Sequence, residues 1–426
     1  MPEFATARGM RDFLPEEARK MRHVEDLSRE LARLYGYEEI ITPAIESYEL
    51  LAAKSGDEIR QRMFAFNDLG GRRMALRPEF TASIARLVAT KMMRKPKPLR
   101  LFCLGSLYRY DEPQFGRYRE FWQVDYELVG SKRPEADAEI LAITYDLVER
   151  LDLRNFYFKI GHMEILRGIL SQEGVAEEQQ GVIMQLLDKK RWNEALTVIQ
   201  ESGVPQECVA TIKNVLETSG KDVHKVLRDA KRNVEKYEGA VAAVENLQEI
   251  LELVQGGVGL EPLVEAGFAR GLEYYTGMIF EVYVPEMEVA LGGGGRYDKL
   301  IELFGGEPTP AVGVAQGTDR LVLAMEKQGI AEEVSKEKWV TILAVDNELK
   351  PKAFELSAML RKAGIPAEVD VMGRTFSKAL SDANKRGFTH AIIVGPEELK
   401  EGKVVLRNMK EREQRTVTME ALIKEI

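Results

Sequence analysis

Residues 108–130 read YRYDEPQFGRYREFWQVDYELVG. Two β-rich runs, LRLFCLGSLYRYDE (99–112) and REFWQVDYELVG (119–130), flank the EPQFG turn, a pattern that predicts an antiparallel hairpin with a longer loop. Arg109 and Arg117 lie on opposite sides of that turn, so pairing would bring them toward one ligand. A guanidinium fork matches phosphate oxygens two at a time. Phe121 and the neighbouring tyrosines offer a face for a planar ring. The same composition also fits a hairpin whose rings fill the core and whose arginines are solvated. Features elsewhere in the chain must decide between the two.

Upstream, EEARKMRHVEDLSRELARLYG (16–36) repeats apolar residues at helical spacing through Met21, Val24, Leu27, Leu31 and Leu34, with Gly36 as a stop. YEEIITPAIE reads as a strand carrying Pro43 inside it or at its edge. Residues 64–92 predict strand, turn, strand and a helix beginning near Glu79 or Thr81. Downstream, 134–151 is an amphipathic helix and FYFKIGH (156–162) a strand. From about 165 to 258 the pattern turns polar and helical throughout, which reads as an all-helical insertion. β-rich sequence resumes at 263, and AVGVAQGTDRLVLAMEKQG (311–329) supplies a strand, a glycine turn and a helix. EEVSKEKW is a charged linker. After it, strands and helices alternate, predicting a small α/β domain with a largely parallel sheet.

The chain has 426 residues, more than one ordinary core accommodates. With 45% apolar and 30% charged residues it fits a soluble globular protein. A net charge of −9 argues against a non-specific polyanion binder. The charge is uneven: residues 338–426 carry 16 Lys/Arg and 13 Asp/Glu, leaving about −12 on the remainder. Cys103 and Cys208 have no CxxC spacing, so neither a disulfide framework nor a structural zinc site is expected. The four histidines, His23, His162, His224 and His390, show no metal-ligand spacing and no nearby nucleophile. No metal ligands are assigned. The first residues, MPEFATARGMRDFLPEE, lack an apolar core, and no run approaches a membrane span, so a cytoplasmic protein without a membrane partner is expected.

No Walker loop occurs. ALGGGGRYD is glycine-rich without its lysine, and reads either as a flexible turn or as backbone approaching a small ligand closely. In FARGLEYYTGMIFEVY, Arg270, Glu273, Tyr274 and Tyr275 sit on a strand-like run before Gly277. In GTDRLVLAM, Arg320 opens a helix, where a cation opposes the helix dipole unless an anion lies nearby.

Together, RGLEYYTG with GGGGRYD, the hairpin RYDEPQFGRYREFWQ and the GTDRL ending resemble the histidyl-tRNA synthetase family of class II aminoacyl-tRNA synthetases, over essentially the whole chain. LYGYEEIITPAIE resembles motif 1, which forms the homodimer interface around Pro43; the hairpin resembles motif 2 and AVGVAQGTDRL motif 3. The resemblance implies an α+β fold: a class II antiparallel-sheet catalytic core with a helical insertion, plus a C-terminal α/β anticodon-binding domain. The implied organisation is catalytic core over 1–165, insertion over 166–258, core again over 259–328, linker over 329–337 and anticodon-binding domain over 338–426.

The implied activity is ATP-dependent ligation of L-histidine to tRNA(His) through a histidyl-adenylate, with Mg²⁺ accompanying ATP. By the resemblance, Arg109 and Arg270 act in catalysis. Arg109 holds the α-phosphate and the substrate carboxylate, while Arg117 and Arg320 hold the outer phosphates. Phe121 stacks on adenine with Arg320 over its other face, and Asp111 or Glu112 receives the adenine amino group. The histidine pocket maps onto Glu79, Phe80, Thr81, Arg109, Gln123, Glu127, Arg270, Tyr274 and Tyr275. Glu79 suits the α-ammonium; Glu127 and Tyr275 suit the imidazole nitrogens. Adenylation asks for positioning and charge stabilisation rather than a protein nucleophile, in keeping with the histidine and cysteine usage. Three rivals stand beside it: a catalytically silent paralogue serving as regulatory subunit of ATP phosphoribosyltransferase, a class II synthetase for another amino acid, and an RNA-binding module retaining the fold. The C-terminal segment, the histidyl-type motifs and the full arginine set argue against them.

Overall fold

The computed structural model describes residues 4–53, 56–114, 116–271, 274–330 and 339–426. Phe115, Glu273 and residues 331–337 of the expected linker lie outside the described residues. The chain divides into two compact units, Met1–Val334 and Ser335–Ile426.

The first unit opens with helix α1 (Pro15–Tyr35). Its signals are local: Pro15 in the first turn, Glu16 and Glu17 at the positive end of the dipole, and a backbone N–H of Leu14 donated to Glu17 Oε2 at 2.8 Å. Gly36, at φ 75°, closes it in the left-handed conformation, donating to the carbonyls of Ala32 and Arg33. Met21, Val24 and Leu31 are buried, but Leu34 is half exposed, so the apolar stripe is wider than the core it faces. The run expected as one strand through Pro43 breaks in two: β1 (Glu38–Glu39) and β2 (Ile45–Ser47). Proline lacks the N–H that a continuous ladder would need there.

Short helices α2 (Tyr48–Ala52) and α3 (Gly56–Gln61) follow, then β3 (Ala65–Asn67), β4 (Arg73–Leu76) and α4 (Thr81–Leu87). β2, β4 and β3 form a small antiparallel sheet. The predicted hairpin is β5 (Leu99–Tyr108) and β6 (Glu120–Val129), paired antiparallel along their full lengths. Next come α5 (Pro134–Arg150), β7 (Tyr157–His162), α6 (Met163–Gln172), α7 (Glu177–Asp188), α8 (Trp192–Glu201), α9 (Gln206–Glu217), β8 (Ser219–Gly220), α10 (Val223–Asn233) and α11 (Glu238–Val258). The unit ends with β9 (Leu263–Glu265), β10 (Met278–Tyr283), β11 (Gly292–Arg296), α12 (Leu300–Leu303), β12 (Ala311–Gly317) and α13 (Thr318–Lys327).

One sheet organises the unit, in the order β1-β5-β6-β12-β11-β10-β7-β9-β8. Only the β1–β5 and β7–β9 pairs are parallel. The segment expected to be all-helical therefore contributes a strand, β8, to this sheet. Its helices also share the main core, with Leu166, Ile169, Val244, Leu247 and Leu251 buried in the same cluster as β6 and β10. Polarity along the helices had masked the stripe that docks them. Two further expectations change. Residues 270–271 and 274–276 lie in a loop before β10, not on a strand. The glycine run is neither a turn nor a loop: Gly292–Arg296 is a central strand hydrogen-bonded on both sides.

His162 ends β7 and caps α6, its Nδ1 accepting from the Glu164 N–H at 3.2 Å while Nε2 meets Asn246 of α11 at 3.2 Å. Burial pulls its pKa down to about 4 from 6.5, partly opposed by the Asn246 contact. A base whose folded value is depressed supports the fold fully above its unfolded value and loses that support as pH falls toward the folded one. The first unit is accordingly expected to lose about 3 kcal/mol of stability between pH 6.5 and 4 through this group. Reversible urea denaturation across that range checks it, with His162→Gln flattening the dependence.

The second unit is a five-stranded sheet in the order Ala367–Val369, Val340–Ala344, His390–Val394, Lys403–Asn408, Gln414–Thr418. The first three strands are parallel as expected, with helices Lys350–Lys362 and Phe376–Lys385 between them. The last two are antiparallel additions, joined by a turn at Met409–Glu413 too short for a crossover helix. Among the described residues, no helix is long and apolar enough to cross a membrane.

Candidate active site

β6 alternates two faces. Phe121, Gln123, Asp125 and Glu127 point to one side, Val124, Tyr126 and Leu128 to the other. Tyr126, on the second side, donates its hydroxyl to the Ser28 carbonyl of α1. Phe121, Gln123 and Glu127 of the first face line a cavity of about 230 Å³ together with β11, β12, the hairpin loop and the segment before β10.

One end of the cavity is cationic. Arg109, Arg117, Arg270 and Arg320 all line it, from three segments far apart in sequence. The Arg109 guanidinium lies 5.2 Å from the Phe121 ring centroid, and its Nε donates to the Pro78 carbonyl at 2.9 Å. Arg320, in the first turn of α13, donates to the Ala290 carbonyl at 2.8 Å and approaches the Gly116 carbonyl at 3.4 Å. Among the described residues neither Arg109 nor Arg320 has a carboxylate in ion-pair contact. Burial, then the charges of Arg109, Arg117 and Arg270, pull Arg320 down to about 10. It stays charged at neutral pH, in a cluster that an anion would relieve. Arg270 differs: it pairs with Glu281, which also accepts from the Tyr283 hydroxyl at 2.6 Å. Burial lowers the Arg270 pKa, but Glu281 and the neighbouring tyrosines outweigh it and hold the value above its ordinary one.

The other end is a slot of buried acids and phenols. Glu79 precedes α4, and its Oε2 accepts from the Tyr274 hydroxyl at 3.2 Å. Burial raises its pKa, opposed by Arg109 and that hydrogen bond. Glu127 accepts from the Thr81 hydroxyl at 2.9 Å and from the Tyr297 hydroxyl, yet burial still pushes it up to about 8. Among the described residues the buried side-chain oxygen of Gln123 has no hydrogen-bond partner. Asp125, fully buried on the same strand face, is raised well above the carboxylate range by burial and by Glu127 and Glu79. Tyr275 completes the wall, its ring centroid 4.9 Å from that of Tyr274.

Two glycine positions make the slot possible. A Cβ on Gly313 of β12 would sit 1.6 Å from Glu127 Oε2. A Cβ on Gly293 of β11 would meet Glu281 Cγ at 3.1 Å and Arg270 Nη1 at 3.3 Å. Bare backbone at these positions lets charged groups lie flat on the sheet.

Twelve of the fourteen residues singled out by sequence therefore line one cavity. The structure sets two apart. Glu112 faces outward and pairs with Arg8 at 2.7 Å, whereas Asp111 lines the cavity 3.2 Å from Arg62. Phe80 is wholly buried beneath the Arg77 guanidinium, 4.5 Å away, filling core under the site. Arg119, part of the opening stretch, is a brace: its Nε donates to the Asp111 carbonyl and its guanidinium covers Tyr110. Sequence reasoning missed Tyr297 and Glu281. Tyr297 stands inside GGGGRYD, and Glu281 is the only charge in the apolar run MIFEVYV, a pattern that marks it in the sequence.

The sequence profile of the histidyl-tRNA synthetase family matches residues 9–321, and that of an anticodon-binding domain matches 339–426. A histidine–tRNA ligase of Methanocaldococcus jannaschii is 43% identical over 421 residues, covering 98% of each chain. Among solved structures, one described as an ATP phosphoribosyltransferase regulatory subunit/histidyl-tRNA synthetase from Bacillus halodurans superposes with a TM-score of 0.79 at 27% identity, covering 92% of this chain and 98% of that one. Apo histidyl-tRNA synthetase from S. aureus superposes at 0.69 with 25% identity over 99% of both.

Proposed function

Because the chain belongs to the histidyl-tRNA synthetase family, we propose that its arginine-lined cavity is where L-histidine is activated by ATP. The protein is an aminoacyl-tRNA ligase that joins L-histidine to tRNA(His), with AMP and pyrophosphate released. The observation carrying the site assignment is the convergence of four guanidinium groups beside a slot of buried acids and phenols.

ATP lies with its α-phosphate at Arg109 and Arg270 and its outer phosphates at Arg117 and Arg320, where, among the described residues, Arg320 has no carboxylate in ion-pair contact. Phe121 is the adenine platform. Asp111, not Glu112, takes the adenine amino group, because Glu112 is held on the surface by Arg8. Among the described residues no group of three carboxylate, histidine or cysteine side chains is poised for a metal. Mg²⁺ would accompany ATP as part of the nucleotide substrate and would neutralise charge on its phosphates. Histidine lies with its α-ammonium against Glu79 and Gln123 and its ring nitrogens against Glu127 and Tyr275. Thr81 and Tyr297 fix the Glu127 carboxylate, and Phe80 supports the floor from below.

The histidine carboxylate oxygen attacks the α-phosphorus in line, and the bond to the bridging oxygen breaks as pyrophosphate leaves. Arg109 and Arg270 stabilise the charge developing on the α-phosphoryl oxygens. The terminal ribose hydroxyl of tRNA then attacks the adenylate carbonyl and AMP departs. A slot that hydrogen-bonds both ring nitrogens leaves buried partners unmatched for a wrong side chain, which discriminates by about 10⁴ or more without editing.

The homodimer reading rests on Ile41, 90% exposed beside Pro43, with Ile45 and Phe66 also exposed. The cytoplasmic reading rests on two free, buried thiols. The regulatory-subunit alternative is less supported, since the cavity keeps every charged group that adenylation uses and an anticodon-binding unit follows. ATP–pyrophosphate exchange measured with each of the twenty amino acids tests the assignment. Exchange with L-histidine alone is expected; exchange with none, or with another amino acid, overturns it.

A further inference from the structure

The N-terminal segment before α1 was not part of the site as read from sequence, yet it is stitched to two of its arginine-bearing elements. Arg11 stands at the junction. Its guanidinium carbon lies 3.3 Å from the Tyr118 ring centroid and 4.7 Å from that of Phe13. The same guanidinium pairs with Asp319, whose side chain is 5% exposed, in the first turn of α13. The other Asp319 oxygen accepts the Trp122 backbone N–H of β6 at 2.6 Å. Tyr118 and Asp319 both line the cavity, and each adjoins a phosphate-end arginine, Arg117 and Arg320. Arg11 is not among the lining residues.

Neighbouring contacts hold the segment in place. The Arg119 N–H donates to the Gly9 carbonyl at 2.9 Å, and a Cβ on Gly9 would meet Arg119 Cγ at 2.7 Å and Pro113 Cγ at 3.0 Å. Phe13 meets Trp122 edge-on, with centroids 5.0 Å apart. Residues 8–13 thus lie across the base of the 109–119 loop. Among the described residues that loop's own backbone pairing is sparse: its ladder ends at Arg109–Arg119 and its tip adds the Gln114–Arg117 pair, so side-chain contacts from outside the hairpin help to hold it.

We propose that Arg11 is a positioning residue for the nucleotide: it clamps the loop carrying Arg117 to the helix carrying Arg320, so that both cations close on the outer phosphates as one unit. The inference rests on the adenylation reading of the cavity. The physical reason is that Arg117 and Arg320 repel each other, and Arg320 is already strained by neighbouring cations. Without a link through Asp319 and Tyr118, the loop is free to swing its arginine toward water before ATP binds. Preorganising two charges that would otherwise separate lowers the cost of binding the triphosphate. Arg11 does this without touching substrate. It acts at the end of the cavity away from Glu127 and Tyr275, so histidine binding should be indifferent to it.

The test is steady-state ATP–pyrophosphate exchange with Arg11→Ala and Arg11→Lys, varying ATP and histidine separately. Arg11→Ala is expected to raise the KM for ATP about tenfold, the scale of one lost ring–cation contact with its ion pair. The KM for histidine should stay within about twofold. Arg11→Lys, which keeps the charge on Asp319 but not the planar stack on Tyr118, should recover only part of the loss. Equal rises in both KM values, or no rise for ATP, overturn the clamp while wild-type histidine-dependent exchange leaves the adenylation reading standing. If Arg11→Ala is poorly folded, the lysine variant decides alone: an ATP KM equal to wild type with the histidine KM raised also overturns it. Absence of wild-type exchange removes both readings together.

Discussion

Replacing Arg270 with alanine should reduce histidyl-adenylate formation by about 10³-fold, the scale of losing one preorganised charge donor at the reacting group. The expectation comes from how Arg270 is held. Its side chain is 21% exposed, locked by Glu281, which Tyr283 in turn fixes from β10. The cation is thus placed before substrate arrives and has no reorganisation to do as charge develops on the α-phosphate. Deleting it does more than subtract a donor. Glu281 remains in the cavity wall as an uncompensated carboxylate facing a polyanion, so part of the loss comes from repulsion. Arg270→Ala with Glu281→Gln should therefore recover a fraction of the activity that Arg270→Ala loses. Single-turnover adenylate formation at saturating ATP and histidine measures the effect, and circular dichroism establishes that the fold persists. Wild-type rates in Arg270→Ala would remove this residue from the reaction.

How much of this could be read beforehand varies with the element. The hairpin was legible because its first strand is largely apolar, its second is rich in aromatic residues with Val124 and Val129, and its turn carries Pro113 and Gly116. The arginine set was legible only through resemblance to a family, because nothing in the spacing of Arg109, Arg270 and Arg320 says that sheet order will bring them together. β6, β12, β11 and β10 are neighbours in space while residues 130–277 intervene in sequence. Of the two readings of the glycine run, the flexible turn fails for a physical reason, while the glycines do line the cavity. Glycine is a poor strand former, so GGGG signals a turn. In the folded protein, Gly294 lies so close to the Gly313 carbonyl that any Cβ would be 2.0 Å from it, and closeness of backbones outweighs propensity. The docking stripe on α11 was hidden in the same way: its buried positions Ala240, Ala243, Val244, Leu247 and Leu251 are interleaved with acids that face solvent. Asp111 and Glu112 could not be separated by sequence; in the fold Asp111 lines the cavity while Glu112 pairs with Arg8 on the surface.

Gly313→Ala is expected to lower kcat/KM for histidine by about 10²–10³-fold while leaving ATP binding nearly unchanged. The Glu127 carboxylate lies directly over Gly313 in the adjacent strand, β6, and a methyl group would have to occupy the space of Oε2. Neither neighbour yields easily. Gly313 is fixed in the sheet between Glu127 and Gly295, and the new Cβ would also stand 2.9 Å from the Tyr126 carbonyl. The carboxylate must therefore rotate away, breaking its hydrogen bonds from Thr81 and Tyr297. Its own burial already disfavours the charged form, as the value of about 8 indicates, and losing two donors would disfavour it further. A histidine ring would then meet a displaced carboxyl where the pocket had offered one fixed by two hydrogen-bond donors. Arg117 on the hairpin loop and Arg320 on α13 make no contact with Glu127 and should still hold the nucleotide. Calorimetric titration separates the two effects: histidine affinity falls steeply and the affinity for a non-hydrolysable ATP analogue holds. A loss of both would mean that the sheet itself had shifted, and no loss of either would mean that Glu127 is not the acceptor on which selection of the imidazole depends.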